Sequence, residues 1–176
     1  MQQRHAQIDG LSANAAGEDM LPLGAITEAH YEDILGRNVK GVIFTVQQVL
    51  PPLCGGASVI LSVSTTATNG PAAFSGDSAS KAAVRNLARR WTLGLENCGI
   101  SVNVVSPARS RSPAWWSWLT WTGPAVGPAR LHGQPDPDRS RRRARGDSQS
   151  VLFLASDDSV LMAGSGFAID SVMTRV

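Results

Sequence analysis

The chain of 176 residues is poor in the residue types that define several protein classes: it has two cysteines, one tyrosine and three histidines. Cys54 and Cys98 cannot build a disulfide framework or a four-ligand zinc site, so a reducing, cytoplasmic location is expected. His5, His30 and His132 share no spacing, and no metal site is expected. Long apolar runs are missing too. A stretch of about 18 apolar residues would signal a membrane-spanning helix, and none occurs. Met1 to Gly10 lacks the apolar segment of a secretory leader. What is there is ordinary globular matter: 43% apolar residues for a core, and 17% charged residues, too few for general disorder.

The net charge of +2 hides an uneven distribution. Residues 109–145 hold eight arginines, two acids (Asp136 and Asp138) and no lysine, with Trp115, Trp116, Trp118 and Trp121 alongside. Three parts follow: a body over 1–108, an Arg/Pro/Trp-rich insert over 109–146 expected to be irregular, and a terminal helix and strand over 147–176 that complete the body. The insert has three open readings. Arg139 to Arg145 could meet nucleic acid or another anionic surface. The Trp115-Trp116-Ser117-Trp118 run could form a lid over a substrate. An altered reading frame in GC-rich coding DNA explains the Arg, Pro and Gly without lysine, and is preferred; nucleic acid is the least favoured partner.

In the body, apolar residues at Ile34, Leu35, Val39, Val42, Ile43, Val46, Val49 and Leu50 predict a helix over 28–53. Gly55-Gly56 reads as a turn and 57–64 as a strand buried on both faces. Asn69-Gly70-Pro71 marks a loop. A second helix is predicted over 77–97, with Ala83, Leu87, Trp91 and Leu95 on its buried face and Arg85, Arg89 and Arg90 outside. Strands follow over 100–105 and 166–170, with a short helix at 151–156. Alternating strands and helices imply parallel βαβ units, an α/β doubly wound sheet.

Several segments, in order, resemble the short-chain dehydrogenase/reductases. Leu11 to Gly17 is similar to the Asn-Ala-Gly segment that ends that family's fourth strand beside the cofactor. Arg37-Asn38-Val39-Lys40-Gly41 is similar to the helix carrying its active-site asparagine. Ser64, in Ser62-Val63-Ser64, occupies the catalytic serine's place, 13 residues before Asp77. Ser78-Ala79-Ser80-Lys81 resembles the catalytic lysine segment, and Val102 to Pro107 the strand leading to a Pro-Gly turn. The resemblance covers residues 9–108 and 148–176.

The resemblance implies a partial Rossmann-like sheet of family strands four to seven, the first nucleotide-binding half being absent. It implies NAD or NADP as cofactor and a small alcohol or carbonyl compound as substrate. Asn38, Ser64, Asp77 and Lys81 take the catalytic positions; Asn14, Ala15, Lys81, Pro107 and Ala108 take cofactor-contacting ones. Two departures stand out. The Gly-x-x-x-Gly-x-Gly phosphate loop is nowhere in the chain: Gly123 and Gly127 have its first interval, but Ala129 follows. The position of the proton-donating tyrosine is Asp77. A carboxyl group ordinarily titrates near 4, and Lys81 would lower it further, leaving it ionised with no proton to give. The expectation is an oxidoreductase of impaired or absent activity, or else a non-catalytic remnant that pairs with an intact homologue. Association, with itself or a homologue, would use the helices over 28–53 and 77–97. Simpler roles stay open for single residues: Asn38 bonding the backbone where Gly36 and Gly41 disturb a helix, Ser64 satisfying a strand end, and Lys81 ion-paired with Asp77.

Overall fold

The computed structural model describes residues 7–14, 16–68, 73–107 and 137–169. Four strands, β1 (Ile8–Ala13), β2 (Leu53–Ser62), β3 (Ser101–Pro107) and β4 (Gly166–Ile169), lie side by side in chain order, every pair parallel. Parallel neighbours need crossovers. Between β1 and β2 these are α1 (Glu28–Leu35), a π-helical stretch Gly36–Lys40 and α2 (Gly41–Val49). Helix α3 (Ser75–Leu95) joins β2 to β3, and α4 (Pro137–Leu154) precedes β4.

Alternation along the strands sets the layers, because successive side chains point to opposite faces. Val59, Leu61 and Val63 of the β2 region, with Val102 and Val104 of β3, pack with Val42, Val46, Val84 and Ala88 from α2 and α3. On the other face Ile60 and Val105 meet Leu154 of α4, with Phe167 and Ile169 of β4. Both faces of the two central strands are thereby covered, as a parallel sheet requires. Buried Asn103 is satisfied: its Nδ2 donates to the Met162 carbonyl at 2.7 Å and its Oδ1 accepts from the Ser165 amide at 3.1 Å. Strand β1 pairs only with β2 among the described residues, and its Asp9, Gly10 and Ser12 are exposed.

Several element boundaries differ from the sequence expectation. The helix expected over 28–53 ends at Val49, and Leu53 already opens β2. Gly55 and Gly56, expected as a turn, lie inside β2. They still break its regularity: the register with β1 shifts between Ile8 and Gly10, and Gly56 adopts φ of +89°, open to glycine at little cost. The inward face of α3 is also rotated. Asp77, Ser80, Lys81, Val84 and Ala88 are buried, whereas Ala83 and Leu87 are half-buried. Trp91 and Leu95 do pack on the core.

The insert expected to be irregular through 146 has become helical by Pro137. Proline suits a first helical position, where its missing N–H costs nothing, and Arg, Ala and Leu favour continuation. The four insert tryptophans lie outside the described residues. No helix among the described residues is long and apolar enough to cross a membrane.

Candidate active site

In an open parallel sheet the loops at the strands' C-terminal ends converge on one rim, where binding groups collect. Asn14 follows the end of β1, Ser64 lies two residues past β2, and Pro107 is the last residue of β3. Asn14 is exposed; Ser64 and Pro107 are half-buried. Ala15 and Ala108 lie outside the described residues.

The remaining candidates come from the helices, and hydrogen bonds join them to the rim. Asn38 sits in the π-helical stretch, where the Gly41 amide donates to the Gly36 carbonyl and widens the turn. That widening accompanies an inward, 1% exposed Asn38. Its Oδ1 accepts from the Gly17 amide at 2.8 Å, and its Nδ2 donates to the Gly17 carbonyl at 2.9 Å and to Ser80 Oγ at 3.0 Å. Backbone bonding at a disturbed helix and placement in the site are here one arrangement. A Cβ on Gly17 would meet the guanidinium of Arg37, the far end of a half-exposed side chain paired with Asp33, which would have to swing aside.

Ser80 continues the chain by donating to the Asp77 carbonyl at 2.7 Å. Thr66 Oγ1 donates to Asp77 Oδ2 at 3.0 Å, and the Thr66 amide donates to Ser64 Oγ at 3.3 Å. One network thus runs from Ser64 through Thr66, Asp77 and Ser80 to Asn38 and Gly17. Ser64 also caps the short 3-10 turn Thr65–Ala67, which is the strand-end role open to it. Thr66 and Ser80 were missed as site residues. Their only sequence signal is position, Thr66 two residues after Ser64 and Ser80 three after Asp77.

Lys81 and Asp77 are 4% and 0% exposed, one helical turn apart on the same face of α3. They do not form a direct ion pair: the described pairs within 4.0 Å are His30–Asp19 and Arg37–Asp33. Among the described residues Lys81 makes no hydrogen bond, and Asp77 Oδ1 has no partner. The expectation that Lys81 pulls the Asp77 carboxyl below its ordinary value is overturned. Burial raises its carboxyl above the usual 3.8, outweighing the Lys81 charge and the Thr66 hydrogen bond, with Glu18 adding to the rise. Burial likewise lowers the Lys81 amine below 10.5, against the opposing fields of Asp77 and Glu18. Desolvation wins at both groups because neither is directly paired.

A cleft of about 150 Å³ lies elsewhere, between α1 and the start of α3, lined by Ile26, His30, Tyr31, Ile34 and Ala79 among others. It holds none of the network residues. No group of three or more His, Cys, Asp or Glu among the described residues could hold a metal.

Comparison with known proteins gives the family. The family model described as short chain dehydrogenase matches residues 1–122. This chain belongs to the short-chain dehydrogenase family. Oxidoreductase asL5 of Sarocladium schorii is 35% identical over 171 residues, covering 96% of this chain and 67% of the relative. Galactitol 2-dehydrogenase of Agrobacterium fabrum is 29% identical, covering 93% of this chain and 67% of its own length. The chain spans about two thirds of these curated relatives. Among solved structures, a Burkholderia cenocepacia short chain dehydrogenase in complex with NADP aligns with a TM-score of 0.76 at 26% identity, over 93% of this chain and 64% of that one. An Escherichia coli short chain dehydrogenase complexed with NADPH gives 0.77 at 22% identity, over 95% and 65%, a likeness of fold.

Proposed function

We propose that this chain is an oxidoreductase of NAD or NADP and small alcohols, ketones or aldehydes, impaired in cofactor binding by the lack of a Gly-x-x-x-Gly-x-Gly loop in this sequence and in proton transfer by Asp77. The relatives named for NADP or NADPH support the cofactor class, and the galactitol dehydrogenase supports a small hydroxylated substrate. The rim fits the nicotinamide half of such a cofactor: Lys81 has no partner among the described residues, Asn14 is exposed and Pro107 borders the same edge. When bound, the cofactor supplies or takes up a hydride. Ser64 would orient the substrate oxygen, and Asn38 fixes Gly17 and Ser80 behind the site.

The observation that carries the reading is Asp77 itself, fully buried with Oδ2 held by Thr66. A carboxyl on this short side chain stands further from an oxygen held at Ser64 than a tyrosine phenol would, and so serves hydride transfer poorly as a proton donor. Loss of a placed general acid costs roughly 10²–10⁴ in rate. Asp77→Tyr is expected to raise NAD(P)H-dependent carbonyl reduction by that factor, followed by absorbance of the nicotinamide. Equal rates for the two proteins would sink the proposal.

A second reading, a non-catalytic partner of an intact homologue, draws on exposed apolar side chains of the helices: Tyr31 (55%), Phe44 (49%) and Leu93 (66%). Sedimentation of the chain alone and with such a homologue separates the two. Co-sedimentation without any turnover by Asp77→Tyr favours the partner role.

A further inference from the structure

We propose that Lys81 and Asp77 form an imine-forming pair, in which the Lys81 amine condenses with small aldehydes or ketones and the Asp77 carboxyl supplies the proton that expels water. This goes beyond hydride transfer and does not depend on it.

Three features of the site support it. Lys81 is nearly enclosed and, among the described residues, has neither hydrogen bond nor ion pair to hold a charge on its nitrogen. Asp77 lies one turn earlier on the same buried face. Its Oδ2 is occupied by Thr66, while Oδ1 is buried and unpartnered, free to carry and deliver a proton. Burial favours the neutral form of both groups, and a neutral amine is the nucleophile that carbonyl condensation needs. Lys40 is the counter-example: it is exposed and belongs to no such buried pair.

The steps balance. The Lys81 nitrogen lone pair attacks the carbonyl carbon, the carbonyl π electrons move to oxygen, and one amine proton passes to that oxygen, giving a carbinolamine. Asp77 then protonates the carbinolamine hydroxyl, the C–O bond breaks and water leaves. An iminium on Lys81 remains beside the Asp77 carboxylate, so the buried site stays neutral in sum. No oxidant or reductant is consumed.

The sequence provides an internal control, because Lys40 and Lys81 are its only lysines. The full chain is exposed briefly to propanal and sodium cyanoborohydride near pH 7, without nicotinamide, and alkylation at each lysine is read by peptide mass spectrometry. Lys81 is expected to be alkylated at least about tenfold faster than Lys40. A Lys40 rate equal to or above that of Lys81, or no Lys81 adduct, overturns the proposal.

Asp77→Asn is expected to slow Lys81 alkylation at least about tenfold, with an unchanged far-ultraviolet circular dichroism spectrum as the sign that the fold persists. Acetylation of Lys81 by an activated ester needs no acid to expel water, so the same substitution should leave it within a few-fold. Parallel loss of both reactions would mean that Asp77 only shapes the site, and would overturn its part in the step. Since no nicotinamide is present, neither outcome bears on the hydride-transfer reading.

Discussion

The two halves of α3 follow different rules. Its first half buries Asp77, Ser80 and Lys81; its second buries Val84 and Ala88 and packs Trp91 and Leu95 against the core. Both halves face the same sheet through the same helical spacing, so local geometry does not cause the difference. Apolar burial in the second half stabilises the fold in proportion to area removed from water. Polar burial in the first half opposes folding, and hydrogen bonds donated by Thr66 and Asn38 offset only part of that cost. A helix that gives up stability at one end only is marking where its chemistry lies.

Substitutions at corresponding depth should separate the halves. The largest effect is kinetic and confined to the first: the 10²–10⁴ gain expected from Asp77→Tyr. In the second half, Val84→Ala is expected to cost about 2 kcal/mol in urea unfolding, from lost burial and an unfilled cavity. It should leave the Lys81 alkylation rate unchanged. If Val84→Ala moves that rate as much as Asp77→Asn does, the halves are not separable.

The same contrast explains what the sequence could and could not disclose. The parallel sheet was legible because β-branched runs such as Val59-Ile60 and Val102 to Val105 alternate with long helices, a pattern that has few topological solutions. The positions of Asn38, Ser64, Asp77 and Lys81 were legible from family spacing. The state of Asp77 was not. Sequence supplies its neighbour at i+4 but not its depth, and here desolvation outweighs the neighbouring charge. Nor could spacing along α3 fix the buried face: Ala83 and Leu87 offered an apolar stripe as good as the real one. The face that is buried instead carries Asp77, Ser80, Lys81, Val84 and Ala88. The extent of α4 was obscured by composition, since an Arg-rich segment with flanking prolines reads as loop until the helix is seen to start on proline.

A smaller effect tests whether the polar half is a coupled network. Thr66→Val removes the one hydrogen bond into Asp77 Oδ2 among the described residues and is expected to cost about 1 kcal/mol. In Asp77→Asn the partner is altered, so the two substitutions should fall short of additivity, while Thr66→Val and Val84→Ala should add within about 0.5 kcal/mol. Full additivity in the first pair would remove Thr66 from the network.

The smallest effect is a tilt in stability with pH, and it has a definite sign. Because burial raises Asp77, the folded chain keeps its proton where the unfolded chain, titrating near 3.8, has lost it. That contribution to stability is complete below the unfolded value and is lost as pH rises toward the folded one. The Lys81 limb runs the other way: a lowered amine has shed its proton in the folded chain while the unfolded one holds it, so stability recovers as pH rises toward 10.5. The Tm of Asp77→Asn minus that of the native chain should therefore increase from pH 4 to pH 7, the asparagine having no proton to lose. Taking differences cancels the exposed carboxylates common to both proteins. The corresponding difference for Val84→Ala should stay flat over the same range, because no titrating group is touched. A flat difference for Asp77→Asn as well would mean that solvent reaches Asp77, and the contrast between the halves of α3 would lose its electrostatic basis.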